Sequence, residues 1–272
     1  MATLAKSVVP DDRVDVLTGT PRAHAVDRWI YVYMAASLVV ITLVGFIPDS
    51  FTKMAAVADG SRPPFPMILH VHAVLMGSFL VLLLAQTWLA ATGKIKGHMQ
   101  LGIATALLVP ALVIVGFLLA PAIYQETVQA AQTAGPEARE KLQALVLRKE
   151  NILLNQTRIG ILFPLFIAIG LAARRKDAGL HKRMMILATA SALGPAFARI
   201  TWLPTTFPAS PISNEIYMLC VIAPMFFWDV YRNGFVHKAY VIWTAISLPV
   251  VGTVISLWDT PWWHETARGI LT

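Results

Sequence analysis

Seven apolar runs divide this chain, at roughly 29–47, 67–91, 99–121, 152–173, 184–203, 214–230 and 239–258. About 20 residues of helix cross a hydrocarbon core of ~30 Å, and most of the runs have that length. The run 214–230 is the shortest and carries Pro224. A bilayer core offers no water to an unpaired backbone N–H or C=O, so such runs fold as continuous helices. With 57% of its 272 residues hydrophobic and 14% charged, the chain is too apolar for a soluble domain of this size. The expected fold is an all-α, polytopic membrane helical bundle of about seven transmembrane helices.

A recurring cue organises these spans. Gly97-His98 leads to Pro110, Gly179-Leu180-His181 leads to Pro195, and Gly234-Phe235-Val236-His237 leads to Pro249, with His-to-Pro distances of 12, 14 and 12 residues. Each copy reads as a helical hairpin with its His at the head of the second helix. The pairing extends to the first helices: His72 and Asn155 each lie 26 residues before His98 and His181, and Gly77 and Gly160 each lie 21 before. The expected organisation is a lead-in 1–28, then a transmembrane bundle 29–258. The bundle comprises one N-terminal helix and three hairpins at about 67–121, 152–203 and 214–258, with an outer segment 122–150. A tail 259–272 follows. The outer segment reads equally as an amphipathic surface helix from Pro136 or as an extension of the fourth span.

Charge assigns the sides. Seven spans place thirteen Lys and Arg on the N-terminal side and seven on the other; the short turn 174–183 alone carries five, and the opposite 204–213 carries none. The positive-inside rule then gives N-in and C-out. The first residues lack the apolar core and small-residue cleavage site of a signal peptide. The net charge of +7 is accounted for by basic turns beside anionic lipid. The bilayer is therefore the expected partner, and nucleic acid is not. The single Cys220 excludes a disulfide framework and reads as a small buried hydrophobe. Trp258, Trp262 and Trp263 read as an outer aromatic belt.

Two clusters carry the candidate chemistry. Polar groups deep in a membrane are expensive and normally face protein. Arg158, Arg199, His70 and His72 all fall in the outer leaflet. Asn151, Asn155 and Arg158, at i, i+4 and i+7, form one polar stripe. His70 and His72 point about 200° apart on a helix, and His72 is the one that shares a face with Met76 and Gln86. The second cluster is His98, His181 and His237 at three cytoplasmic helix starts, where the dipole favours neutral, metal-binding imidazoles. Equally, these residues can simply close their turns. The HExxH, GxSxG and Gly-rich phosphate motifs are missing, as are paired in-membrane carboxylates and a mid-span Lys.

The stretches Leu69-His70-Val71-His72-Ala73, Gly93 to Gly102 and His181-Lys182-Arg183-Met184-Met185 resemble bacterial multi-pass inner-membrane proteins bearing HxH, HxxLG and HKRxM patterns. The resemblance implies a bacterial cytoplasmic (inner) membrane setting and carries no activity.

Function is read from the residues. His72, His70, Asn155, Arg158 and Arg199 are expected to bind a redox cofactor, quinone or b-type heme, in membrane electron transfer. A heme there lacks a second axial His unless His264 folds back from the tail. His98, His181 and His237 are the second choice, as a heme or metal cluster. The alternatives are a transporter or channel for a small anionic solute, and a cofactor-free accessory subunit bound to other membrane subunits.

Overall fold

The computed structural model describes residue 15 and residues 24–271. Apart from Asp15 and residues 24–28, the lead-in lies outside the described residues. Those described form helices and no strand: α1 (Ala25–Ala58), α2 (Met67–Ala91), α3 (Ile95–Thr133), α4 (Pro136–Ala173), α5 (Ala178–Ala190), α6 (Gly194–Phe197), α7 (Ile212–Asn233), α8 (Lys238–Leu257) and α9 (Pro261–Leu271). Five of them, α1, α2, α3, α4 and α8, are long and apolar enough to cross a membrane. Val81, Ile103, Leu107, Ile114 and Leu248 point outward from these helices. An apolar surface of that extent fits a lipid environment.

Residues 122–150 complete α3 and begin α4, so they extend these helices rather than forming a separate surface helix. α3 and α4 run for 39 and 38 residues, about 58 and 57 Å at 1.5 Å per residue. Both exceed the ~30 Å thickness of a hydrocarbon core. Pro136 starts α4, where its missing N–H costs nothing.

The expected span 184–203 is instead broken. α5 starts earlier, at Ala178, and ends at Ala190; a tight turn leads into the four-residue α6. Pro195 has no N–H to offer the Ser191 carbonyl. The turn closes with shorter i→i+3 bonds, from Ala192 N to Thr189 O and from Leu193 N to Ala190 O. The Ser191 hydroxyl donates to Leu187 O and accepts from Trp243 Nε1. α7 is 22 residues long but carries Glu215, Asp229 and Arg232, which keep it out of the apolar five.

Close approaches hold the bundle. A Cβ on Gly45 of α1 would stand 2.4 Å from the Ala196 carbonyl oxygen of α6, so only glycine lets these backbones touch. Gly160 of α4 likewise seats the Phe117 ring of α3. Phe79 of α2 meets Phe163 of α4 edge-on at 5.1 Å, within a core that includes Met34, Leu38, Phe166, Met184 and Leu187.

Two expectations are corrected. Trp258 and Trp263 are not belt residues: both are buried beside Tyr124, Leu153 and Leu154, and their indole N–H groups donate to Pro208 O and Glu150 O. Only Trp262 is exposed. Cys220 is exposed; the buried face of α7 is Met218, Ile222, Met225 and Asp229, and Cys220 sits about 200° from Met218 around the helix.

Candidate functional site

Of the five candidate residues Arg158 is buried, His72 and Asn155 are half-buried, and Arg199 and His70 are engaged elsewhere. Arg158 is buried, and its Nη1 contacts both carboxylate oxygens of Glu215 at 2.6 and 2.7 Å. It lies beside the α5–α6 break, 3.8 Å from where a Cβ on Gly194 would stand. His72 packs over Gly116 of α3, its Cε1 3.7 Å from the corresponding Cβ position. Asn155 precedes Arg158 by one turn of α4.

Helix geometry puts these three at similar depths, within about 4 Å of one another along the helix axes. α2 and α4 are both the first helices of hairpins whose turns share one end, so they run parallel, and Phe79 meets Phe163. His72 lies seven residues before Phe79, and Asn155 and Arg158 lie eight and five before Phe163, about 10, 12 and 8 Å along their axes. At that level three buried polar atoms have no protein partner: His72 Nδ1, Asn155 Oδ1 and Arg158 Nε.

The other two residues are engaged elsewhere. Arg199 Nε donates to Asp49 Oδ2 at 3.1 Å, its Nη1 donates to Pro195 O, and its guanidinium covers the Phe46 ring. His70 is exposed and meets Phe65 edge-on. His264 does not fold back towards His72. Its Nδ1 is 2.6 Å from Glu150 Oε2 and its Nε2 is 3.0 Å from Asp259 Oδ1. With a carboxylate at each ring nitrogen, His264 is committed to the α4–α9 contact.

At the opposite end, the three basic turns converge. His98 and His181 approach with ring centroids 6.2 Å apart and planes at 84°. Each Nδ1 faces a backbone carbonyl of the preceding helix: His98 to Gln86 O at 3.1 Å and His181 to Gly170 O at 2.8 Å. His237 stands apart. Its Nδ1 accepts from Ala239 N at 3.1 Å, capping α8, and its Nε2 is 3.9 Å from Asp15 Oδ2. Burial, followed by the nearby Arg183 charge, pushes its pKa down to about 4. Among the described residues no group of three or more His, Cys, Asp and Glu is arranged to hold a metal ion, so the three-histidine cluster is not assembled.

Sequence reasoning missed the network beside His237. Arg183 is fully buried and donates from Nε and Nη2 to Asp229, both at 2.5 Å, and from Nη1 and Nη2 to Asp15 at 2.6 and 3.2 Å. Asn233 donates to Asp229. Nearby, Asp27 of α1 accepts from Arg232 and Trp228 of α7. By charge alone Arg183 reads as one of the five cations of the turn 174–183. The available signal was the apolar run Met184 to Ala188 immediately following it, which draws the first turn of α5 into the core.

No protein-family model matches this chain, and neither the curated proteins nor the solved structures contain a match. Fold and composition define its class: an all-helical chain whose apolar helices are those of an integral membrane protein.

Proposed function

We propose that this protein serves electron transfer in the bacterial cytoplasmic membrane by binding a quinone headgroup in the outer leaflet, between His72 of α2 and Asn155 and Arg158 of α4. The observation that carries this reading is the set of three buried polar atoms without partners at similar depths along α2 and α4. A buried unsatisfied polar group costs about 1–3 kcal/mol, and lipid supplies no water to relieve it. A quinone offers carbonyl acceptors to His72 and Arg158, and its reduced form offers a hydroxyl to Asn155 Oδ1, while the surrounding apolar helices suit an isoprenoid tail. A b-type heme fits this place poorly, since His70 faces outward and His264 is held by two carboxylates.

Transport of an anionic solute has one supporting feature, the discontinuous α5–α6 helix, a device found at transporter sites. Its charge complementarity is weak, because Glu215 neutralises Arg158 and Asp49 neutralises Arg199. A cofactor-free accessory subunit leaves the orphaned atoms without a purpose.

The test is extraction and chromatography of quinone from protein purified in mild detergent, followed by titration with a short-chain quinone. His72→Phe and Asn155→Leu are each expected to weaken binding by at least about tenfold, equivalent to one hydrogen bond of ~1.4 kcal/mol. Quinone binding unaffected by both substitutions would remove the basis of this reading.

A further inference from the structure

The histidine pair at the basic end stands independently of the quinone reading. His98 opens α3 and His181 opens α5, and the hairpin turns bring the two rings together. What matters next is where each proton sits. A backbone carbonyl only accepts hydrogen bonds, so Gln86 O and Gly170 O hold the proton of each neutral imidazole on Nδ1. Each Nε2 then carries the ring's lone pair. The same second-shell device, Nδ1–H to a carbonyl with Nε2 free, orients metal-binding histidines.

Distance supports the same conclusion. The ring centroids are 6.2 Å apart with planes at 84°, close enough for one metal ion to reach both rings at Nε2 bond lengths of about 2.0–2.1 Å. Further donors adjoin the pair. Gln86, whose main chain holds His98, is 8% exposed, and its Oε1 has no partner. Its Nε2 reaches to 3.3 Å from the Cβ position of Gly102, one turn beyond His98. Met185, one turn beyond His181, places its sulfur 3.3 Å from the Cβ position of Gly170, and a thioether suits a soft metal.

We infer that His98 and His181 form a bis-imidazole site for a transition-metal centre at the basic end of the bundle. Two sources present this chemistry: a free ion such as Cu(I) or Zn(II), and the iron of a heme bound axially through both Nε2 atoms. Exposed Lys94, Lys96 and Arg174 lie within a few residues of the two rings and offer counter-charges to heme propionates. His237 takes no part, because its Nδ1 lone pair already caps α8 and its proton sits on Nε2.

The experiment uses the full chain purified in detergent. Elemental analysis and oxidised and reduced spectra come first. Metal-stripped protein is then titrated separately with hemin, Cu(I) and Zn(II). One-to-one binding of any probe is the expected result, and the probe that binds tells heme from free ion. The decisive variants are His98→Asn and His181→Asn. The Asn Nδ2 can keep the hydrogen bond to the carbonyl, while the Nε2 ligand is gone. Second-shell changes alone cost about 10- to 100-fold in metal affinity, so each variant is expected to lose at least tenfold with unfolding temperature unchanged. His237→Asn is expected to bind as wild type. Failure of all three probes to bind, or wild-type affinity in both Asn variants, overturns the assignment. Quinone content measured on the same samples keeps this outcome separate from that of the His72 site.

Discussion

Arg183 is the residue whose removal should destabilise the molecule most, and its partners rank the neighbouring substitutions. Its guanidinium is wholly buried between Asp229, also wholly buried, and Asp15, whose side chain is 10% exposed; Nη1 also reaches Gly179 O at 2.9 Å. Breaking a buried ion pair by removing one partner costs about 3–5 kcal/mol, because the survivor is left as an uncompensated charge. Asp229→Ala leaves Arg183 its contacts to Asp15 and Gly179, so its cost belongs near 3 kcal/mol on that scale. Arg183→Met strands two carboxylates at once, with Asn233 still donating to Asp229, and belongs near 5 kcal/mol. Asp15→Asn keeps an acceptor at a partly hydrated position and should cost only about 1 kcal/mol. The double variant Arg183→Met with Asp229→Ala removes both charges of the inner pair and should be less destabilised than Arg183→Met alone. Denaturant unfolding in mild detergent, run as a double-mutant cycle, measures all four. Equal costs for Arg183→Met and Asp229→Ala, or a double variant whose loss equals the sum of the singles, would refute this account.

Two further outcomes follow from the geometry. Gly45→Ala must push α1 away from α6, because its new methyl meets a backbone oxygen at 2.4 Å that no side-chain rotation can move; an overpacking loss of about 1–3 kcal/mol is expected, and a wild-type unfolding midpoint would contradict the close approach. His237 is pushed down to about 4 from its ordinary 6.5 in the folded protein, first by burial and then by Arg183. The unfolded chain therefore binds the extra proton between those values, and stability falls as pH drops from 6.5 towards 4. His237→Asn retains an N-cap acceptor and should flatten that slope in unfolding curves taken across the window. An unchanged slope would show that His237 does not contribute to it.

Lipid-crossing helices were legible because burying backbone in hydrocarbon leaves a long apolar run one way to fold. The Gly/His/Pro cue marks three turns, and hairpin spacing places His72 and Asn155 at equivalent positions. Proline and polarity misled where their effect depends on neighbours. Pro110 and Pro121 lie inside an unbroken α3, whereas Pro195, next to Gly194, accompanies the break between α5 and α6. Charge balance is likewise invisible along the chain: Glu215 and Asp49, the partners of Arg158 and Arg199, lie 57 and 150 residues away. The same holds for the histidines. Their positions at helix starts followed from the repeat, but which two would meet, and which ring nitrogen of each would be free, depended on the carbonyls of Gln86 and Gly170 and on the N–H of Ala239. Hydropathy and periodicity act along the chain, so the sequence alone determined the class, the turns and the candidate residues. Ion pairing, tautomer choice and helix breaks depend on what packing brings within a few ångströms, and only the tertiary structure decided those.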